Sequence, residues 1–192
     1  MKLPMKPDFT DKVAVVTGGA GVLCSAFCKA LAACGAKVAV LDLTLERAEA
    51  LAEEIRQEGG TAKGFAANVL DEESLKKTHD EIASLFGPCD ILINGAGGNN
   101  PAATSDDEFF SLDTMNDPEK ISFFDLTRAG FDKVFSLNIM GTLLPTQKFR
   151  QCQNRRNFRV GGMHIHCCHD AGNIHRYAYH CGNQSSVAGG SG

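Results

Sequence analysis

The feature that most constrains the fold is a regular alternation of short apolar runs and longer amphipathic stretches near the start of the chain. The apolar runs have five or six residues and little polarity on either face, as strands of a sheet covered on both sides require. They are residues 12–17, 37–41, 65–69 and 90–94. Strands joined by helical crossovers pair in parallel. The alternation therefore predicts an α/β fold with a doubly wound parallel sheet.

The intervening stretches carry helix signals. The first begins at Val22 and ends at Gly35, with a predicted apolar stripe of Leu23, Phe27, Ala30, Leu31 and Cys34. The second covers 44–58 and ends at Gly59 and Gly60. Asp71 is a predicted N-cap for the third, which runs to Phe86 and has Leu75, Ile82 and Leu85 as its apolar stripe. A further apolar helix is predicted over 131–144.

Composition limits the class of protein. The 192 residues are 43% hydrophobic, which is enough for one packed domain and excludes a wholly disordered chain. A net charge of -4 gives no general attraction to nucleic acid. No stretch is long and apolar enough for a membrane helix, and the first residues lack the apolar core of a secretory leader. We therefore expect no nucleic-acid or membrane partner and a cytoplasmic location.

Two segments depart from the alternation. Residues 98–130 form a long acidic insert, and such loops are usually functional. Residues 149–192, the C-terminal segment, hold five of the six His and four of the eight Cys but no Lys or Leu. We divide the chain into a nucleotide-binding domain, 1–148, and this atypical segment. The sheet is expected to be incomplete at the C-terminus.

The turn after the first strand is the first candidate site. Gly18, Gly19 and Gly21 follow the strand directly and precede a helix, where backbone can approach a pyrophosphate. Val22 and Leu23 continue the same predicted site. The spacing is imperfect, because Cys24 stands where a third glycine is expected. A plain tight turn is the alternative.

Asp42 ends the second predicted strand about 20 residues beyond the glycines. A carboxylate at that place can accept hydrogen bonds from ribose hydroxyls, and it would repel a 2′-phosphate. This pattern favours NAD over NADP as the cofactor. The alternative is a solvated strand-end residue or a helix cap.

Three runs make the resemblance specific: VTGGAGVLCSAFCKALAACGAKVAVLDL, AANVLDEESL and DILINGAGG. Together they resemble the short-chain dehydrogenase/reductase family, which implies a Rossmann-type domain. The resemblance implies cofactor contacts from Asn68 and Val69 and from Asn94, Gly95, Ala96 and Gly97. The run FSLNIMGT resembles the helix that carries the family's catalytic Asn, here Asn138, which would hold a water in a proton relay. A turn residue at Asn94 and an ordinary buried amide at Asn138 are the alternatives.

Further details resemble the D-mannonate (fructuronate) oxidoreductases within this family. The run GGAGVLC, the run INGAGGN, the acidic insert and GTLLPTQ carry this likeness. It implies hydride transfer that interconverts D-mannonate and D-fructuronate, a sugar-acid substrate. Members of the family are typically homo-oligomers, although the helices that build the tetramer are not recognisable in this chain.

The family's proton donor is a Tyr with a Lys four residues later, because one helix face then carries both and the cation favours the phenolate. This chain has no Lys after Lys148. Tyr179 is the candidate catalytic phenol, with Asn183 at the Lys place, and Cys167 and Cys168 stand where the family's Ser is expected. We therefore expect impaired activity and interpret the C-terminal segment as an out-of-frame or degenerate continuation. A nucleotide-binding remnant without turnover is the alternative.

The cysteines and histidines have two interpretations. A zinc site in the C-terminal segment could be assembled from His164, His169, Cys168 and Cys181, but many other sets are equally available. We predict no resident metal. Cys24, Cys28 and Cys34 lie on one predicted helix, which indicates reduced thiols rather than a disulfide framework.

Overall fold

A computed structural model describes residues 7–109, 111–149, 158–160 and 163–165. Its main feature is one sheet of four parallel strands in the order β3-β2-β1-β4. The strands are β1 (Val13–Thr17), β2 (Lys37–Asp42), β3 (Thr61–Ala66) and β4 (Ile91–Asn94). The predicted doubly wound, Rossmann-type parallel sheet is thereby confirmed.

Three helices connect these strands: α1 (Val22–Ala33), α2 (Leu45–Gln57) and α3 (Glu72–Leu85). Gly35, which follows α1, has φ +93°, a left-handed conformation that favours glycine and ends the helix. Asp71 caps α3 as predicted, because its carboxylate accepts hydrogen bonds from the backbone of Glu73 and Ser74. None of the helices in the described ranges is long and apolar enough to span a membrane.

Apolar side chains cover both faces of the sheet. On one face, side chains of α1 and α2 pack against alternate residues of the strands, among them Val16, Val38 and Val40. On the other face, Leu75 and Ile82 of α3 pack with Val15 and Leu41. Two layers of helices therefore bury the central strands completely, which explains their continuous apolar sequence.

The third strand begins at Thr61, so the prediction of 65–69 is wrong in its bounds. β3 lies at one edge of the sheet, and the side chains of Thr61 and Lys63 are exposed while Ala62 is buried. An edge strand alternates between solvent and core, so it lacks the continuous apolar run that marked the central strands. Val69 lies in the connection beyond the strand.

Two predicted apolar stripes are also corrected. In α1 the buried residues are Cys24, Cys28 and Ala32, whereas Leu23 is 74% exposed and Phe27 is 48% exposed. The helix is thus rotated from the predicted phase, because small side chains allow it to lie close to the sheet. In α3, Leu85 is 51% exposed and does not belong to the buried stripe.

The acidic insert 98–130 contains short elements rather than one extended loop. These are 3₁₀ turns at Pro101–Ala103 and Phe123–Asp125, and a short helix, α4 (Leu112–Asn116). The predicted helix 131–144 is longer than expected. It comprises α5 (Arg128–Phe135), a π-helical turn (Ser136–Met140) and α6 (Gly141–Lys148). Pro145 lies inside α6 and does not end it.

The chain divides into two units, Met1–Arg156, which contains the sheet, and Asn157–Gly192. The described part of the second unit is an antiparallel pair, β5 (Phe158–Val160) and β6 (Met163–Ile165). Tyr179 and the candidate zinc ligands, apart from His164 in β6, lie outside the described residues. The division of the chain at residue 148 stays a prediction.

Candidate functional site

The four strands of the sheet end at one edge, where most of the predicted nucleotide-binding residues follow them. After β1 the chain turns into α1 on one face of the sheet, whereas after β4 it leads to the helices on the opposite face. β1 and β4 are neighbours, so their diverging connections leave a crevice between them. Ligands of open α/β sheets bind at such a switch point.

The glycine turn, residues 18–21, is held against both neighbouring strands. Gly18 has φ +61°, and a Cβ there would lie 2.9 Å from the backbone of Ala96. The Gly19 amide donates to the carbonyl of Leu41 at 2.8 Å, and a Cβ on Gly19 would lie 2.7 Å from Val40 Cγ1. Glycine is therefore required at both positions by close packing, and at Gly18 also by the backbone conformation.

The N-terminus of α1 is open to an anion. Gly21 is its N-cap and offers no side-chain hydrogen bond, and the first turn contains no acidic residue. Val22 is 92% exposed, so its side chain does not cover the turn. The free amides and the positive end of the helix dipole therefore suit a pyrophosphate.

Thr17 ties the glycine turn to the segment after β4. It is fully buried, and its Oγ1 accepts hydrogen bonds from the amides of Gly95, at 3.1 Å, and Ala96, at 3.2 Å. Our sequence reasoning missed this residue. The available signal was a hydroxyl side chain that ends an otherwise apolar strand directly before the glycines.

Cys24 occupies the place of the expected third glycine because Gly95 makes room for it. A Cβ on Gly95 would overlap the Sγ of Cys24. Burial raises the pKa of the Cys24 thiol, and burial together with nearby Cys24 raises the pKa of Cys28 to about 12. Cys24, Cys28 and Cys34 are free thiols, as predicted. Because burial favours the neutral form, the side chains of Cys24 and Cys28 contribute to packing as neutral thiols.

Asp42 ends β2 and is 8% exposed. The amide of Thr44 lies 3.5 Å from its Oδ1, and Arg47 Nη1 lies 3.6 Å from the same oxygen. The other terminal nitrogen of Arg47 donates to the carbonyl of Ala20 at 3.2 Å. Arg47 thus reaches from the carboxylate to the glycine turn, a contact that sequence reasoning missed because an exposed Arg on a helix carries no distinguishing signal.

Asn68 and Val69 follow β3 and lie on the same side as Asp42, since the amide of Ala67 pairs with the Asp42 carbonyl at 2.8 Å. Asn68 is exposed, and its Oδ1 accepts a hydrogen bond from the amide of Leu70 at 3.0 Å. Val69 is 5% exposed. The amide oxygen of Asn68 is thus already used in a turn, which leaves its Nδ2 as the group to face a ligand.

Asn138 lies in the π-helical turn and joins it to the loop after β4. Its Nδ2 donates to the carbonyl of Gly98 at 2.9 Å and to that of Val134 at 2.8 Å, and its Oδ1 accepts from the Gly98 amide at 3.2 Å. A Cβ on Gly97 would lie 2.7 Å from Asn138 Oδ1. The side chain is exposed, not a buried amide, and its position is fixed by backbone on two elements.

Asn94 ends β4 and is tied to α6. Its Nδ2 donates to Thr146 Oγ1 at 2.9 Å, while its Oδ1 is buried and lacks a hydrogen-bond partner within the described ranges. Asn94 is therefore a structural support beneath the crevice as well as a predicted contact. In the described part of the chain, no three metal-ligating side chains come together.

The model of the short chain dehydrogenase family matches residues 12–160, most of the chain. The protein belongs to this family. An uncharacterized oxidoreductase of Haemophilus influenzae is 48% identical over 149 residues, covering 78% of this chain and 52% of that protein. The uncharacterized oxidoreductase UxuB of Bacillus subtilis is 46% identical, covering 77% and 51%.

Solved structures agree with this assignment. A protein from Haemophilus influenza, provisionally named a D-mannonate oxidoreductase and solved with bound NAD, superposes with a TM-score of 0.72 at 48% identity, covering 76% of this chain and 51% of that one. An NAD⁺-bound xylitol dehydrogenase gives 0.61 at 26% identity, covering 76% and 49%. The chain thus spans about half the length of the relatives that it matches.

Proposed function

We propose that the carboxyl edge of the sheet binds NAD and that the chain serves as the nucleotide-binding part of a short-chain oxidoreductase. The observation that carries this proposal is the glycine turn, held by Ala96 and Leu41 directly before the uncapped N-terminus of α1. Neither support is needed for a plain tight turn. The NAD found in a relative 48% identical agrees with it.

Different predicted residues bind different parts of the nucleotide. The amides after Gly21 bind the pyrophosphate, and the carboxylate of Asp42 accepts hydrogen bonds from ribose hydroxyls. Asn68 Nδ2 faces the adenine, and Val69, buried beside it, remains a predicted contact of the same ring. The segment Asn94–Gly97 lines the nicotinamide side, where Gly97 leaves room for Asn138.

When bound, a nicotinamide cofactor exchanges a hydride with the substrate carbon. The chain's own residues then have to exclude water and deliver a proton to the carbonyl oxygen. We assign the role of proton donor to the phenol of Tyr179. We assign to Asn138 the role of holding a relay water, because its fixed side chain keeps the π-helical turn in place. Both assignments follow the resemblance of the sequence to the family.

We propose D-mannonate and D-fructuronate as the substrate pair. The provisional name of the Haemophilus structure supports it, and the D-threitol, sorbitol and xylitol dehydrogenases among the relatives support polyhydroxylated substrates in general. A cytoplasmic location and a homo-oligomer belong to the same proposal.

A second candidate function is nucleotide binding without turnover. The specific observation in its favour is the residue four positions after Tyr179, which is Asn183 instead of Lys. An uncharged amide cannot stabilise a phenolate as an ammonium does. Proton delivery would then fail while every nucleotide contact proposed above persists.

The experiment that separates the two uses the full chain. NADH binding is measured by calorimetry, and NADH oxidation is followed with D-fructuronate and, as a control, with no added carbonyl compound. Binding with fructuronate-dependent oxidation supports the enzyme, and binding without oxidation supports the second candidate. Absence of any binding at millimolar NADH overturns both. Asn183→Lys is the sharpening variant, because a gain in oxidation would identify Tyr179 as the donor.

A further inference from the structure

The outer edge of β4 is open in the described part of the chain. The Asp90 amide donates to the Val13 carbonyl of β1 at 2.8 Å. Because the backbone groups of successive strand residues point to opposite sides, those of Ile91 and Ile93 point away from β1. Among the described residues, their one polar contact is that of the Cys89 Sγ with the Ile91 carbonyl at 3.3 Å. β4 therefore presents a row of backbone donors and acceptors that are mostly unpaired.

The sequence of β4 does not discourage pairing with another strand. Edge strands of natural proteins are commonly guarded by charged side chains or by proline. β3, at the opposite edge, carries the exposed Lys63, whereas residues 91–93 are Ile-Leu-Ile. The residues of β4 are only half-buried, although those of the neighbouring β1 are fully buried. The β4 edge is therefore both apolar and accessible.

An exposed aromatic side chain lies beside this edge. Lys29 Nζ of α1 pairs with Glu54 of α2 at 2.7 Å, so α2 lies along one side of α1. Phe27 precedes Lys29 by two residues and consequently lies about 200° away around the helix. It points away from α2, toward the β4 side of the sheet, and is 48% exposed. Ile91 and Ile93 pack on the same face of the sheet as α1.

We propose that the β4 edge docks a second copy of this chain, with the two β4 strands antiparallel about a two-fold axis at Leu92. Ile-Leu-Ile reads the same in both directions, so Ile91 of each copy lies opposite Ile93 of the other. These are the residues whose backbone groups point outward, and the two pairs exchange about four hydrogen bonds. Asp90 then lies opposite Asn94, so no like charges meet.

The two nucleotide sites stay accessible in this arrangement. Antiparallel strands end in opposite directions, so the carboxyl edges of the two sheets lie at opposite ends of the shared sheet. Self-association is therefore independent of the nucleotide-binding function proposed above. The two-fold axis is perpendicular to the sheet and keeps each face on its own side, so the Phe27 side chains of both copies lie on one face.

The test combines sedimentation equilibrium of the full chain with hydrogen exchange at the Ile91 and Ile93 amides, across about 1–100 μM protein. We expect a monomer–dimer equilibrium that shifts toward the dimer over this range, as a small interface allows. Exchange at both amides should be at least about tenfold slower at the highest concentration than at the lowest. The Val15 amide of the central strand should exchange equally slowly throughout.

A pair of variants at one position isolates the backbone contact. Ile93→Pro removes an outward amide and should weaken self-association at least about tenfold, because proline cannot donate to a ladder. Ile93→Val keeps the amide and the branched side chain and is the matched control. Its self-association should equal that of the unchanged protein.

A second pair leaves every residue of β4 in place, which guards against a loss of folding in Ile93→Pro. Phe27→Glu adds a negative charge beside the edge of each copy and removes an apolar contact, so self-association should weaken about fivefold. Leu85→Glu is the control, since Leu85 is 51% exposed and lies near Lys63 at the β3 edge. It should leave self-association unchanged.

Three results would overturn the inference. The first is a monomer at every concentration with fast exchange at Ile91 and Ile93, which would show that the edge stays unpaired. The second is protection of both amides in the monomer, which would show that the chain itself covers the edge. The third is a dimer that neither Ile93→Pro nor Phe27→Glu weakens, which would place the contact elsewhere.

Discussion

Within the described residues, β3 and β4 form the two edges of the four-stranded sheet, and polar groups on these strands are satisfied in different ways. On β3, the Gly64 amide donates to Glu49 Oε2 at 2.8 Å, and the Ala62 carbonyl accepts from Arg56 Nη1 at 2.9 Å. Both partners come from α2. On β4, Asn94 Oδ1 is buried without a hydrogen-bond partner in the described part of the chain. The β3 edge is therefore closed by side chains of α2, whereas the buried acceptor at the end of β4 stays unsatisfied within the described residues.

One helix can thus protect an edge strand from pairing with another chain. α2 lies so close to β3 that a Cβ on Gly64 would overlap the backbone of Ala48 and Glu49. This approach brings Glu49 within reach of the outward-facing amide. At β4, Asn94 is held from one side only, by Thr146.

The largest effect is expected at Gly64. Gly64→Val should lower the free energy of unfolding by about 3 kcal/mol, because the new side chain would push α2 away from the strand and expose the edge. Urea unfolding measures the loss. Gly87→Ala is the control: Gly87 has φ +99° with no neighbour within 4 Å of a Cβ, so only backbone strain of about 1 kcal/mol is expected. Equal losses in the two variants would refute the close approach of α2.

Removal of the carboxylate that closes the edge should have the next largest effect. Glu49→Ala leaves the buried Gly64 amide without its acceptor, at a cost of about 2 kcal/mol. Hydrogen exchange at the Gly64 amide should become at least about tenfold faster. Glu46→Ala, the same change earlier in α2, should cost only a few tenths of a kcal/mol through the helix dipole. Unchanged exchange at Gly64 in Glu49→Ala would contradict the account of this edge.

The opposite edge should tolerate the corresponding change. Asn94→Ala loses the hydrogen bond to Thr146 but also removes a buried unsatisfied acceptor, so the net cost is expected to stay below about 1 kcal/mol. Thermal unfolding provides the measurement. A loss larger than that of Glu49→Ala would show that Asn94 Oδ1 has a partner and that the two edges do not differ as described.

The smallest effect is expected on the loss of folding stability at acidic pH. Hydrogen bonds from Arg56 and Gln57 hold the pKa of Glu53 below its usual value of 4.5. Because the folded pKa is the lower one, the contribution of this carboxylate to stability is present above pH 4.5 and is lost as the pH falls below it. Glu53→Gln should therefore lose slightly less stability than the unchanged protein as the pH falls below about 4.5. Identical acid profiles would contradict this role.

Much of this molecule could be predicted from its sequence, and the failures share a physical cause. The central strands and the cap at Asp71 follow from apolar runs and local hydrogen bonding. The bounds of β3 were predicted wrongly because an edge strand is half exposed. The buried face of α1 was predicted wrongly because Leu23 lies on the solvent side of the helix. A pattern of apolar residues indicates which side chains are buried. It therefore predicts structure poorly at the edge of a sheet and beside an open crevice, where apolar side chains can be exposed.

The candidate site divides in the same way. The glycines of the turn and Asp42 were predictable because nucleotide-binding residues of this fold stand at or directly after the ends of strands. Thr17 and Arg47 were not, because their partners, the amides after β4 and the carbonyl of Ala20, are distant in sequence. The replacement of a glycine by Cys24 could be understood only with Gly95 beside it. Contacts of this kind depend on tertiary structure and leave no local pattern.

The most direct test of the central claim, a nucleotide site at the uncapped N-terminus of α1, is calorimetric titration of Val22→Glu with NADH. Val22 is 92% exposed, so the change should not disturb packing, and an acid in the first turn should leave the helix as stable or slightly more stable. The same carboxylate would repel the pyrophosphate. We predict NADH binding at least about tenfold weaker than in the uncharged control Val22→Gln, with no loss of thermal stability. Equal NADH affinity in the two variants would contradict the claim.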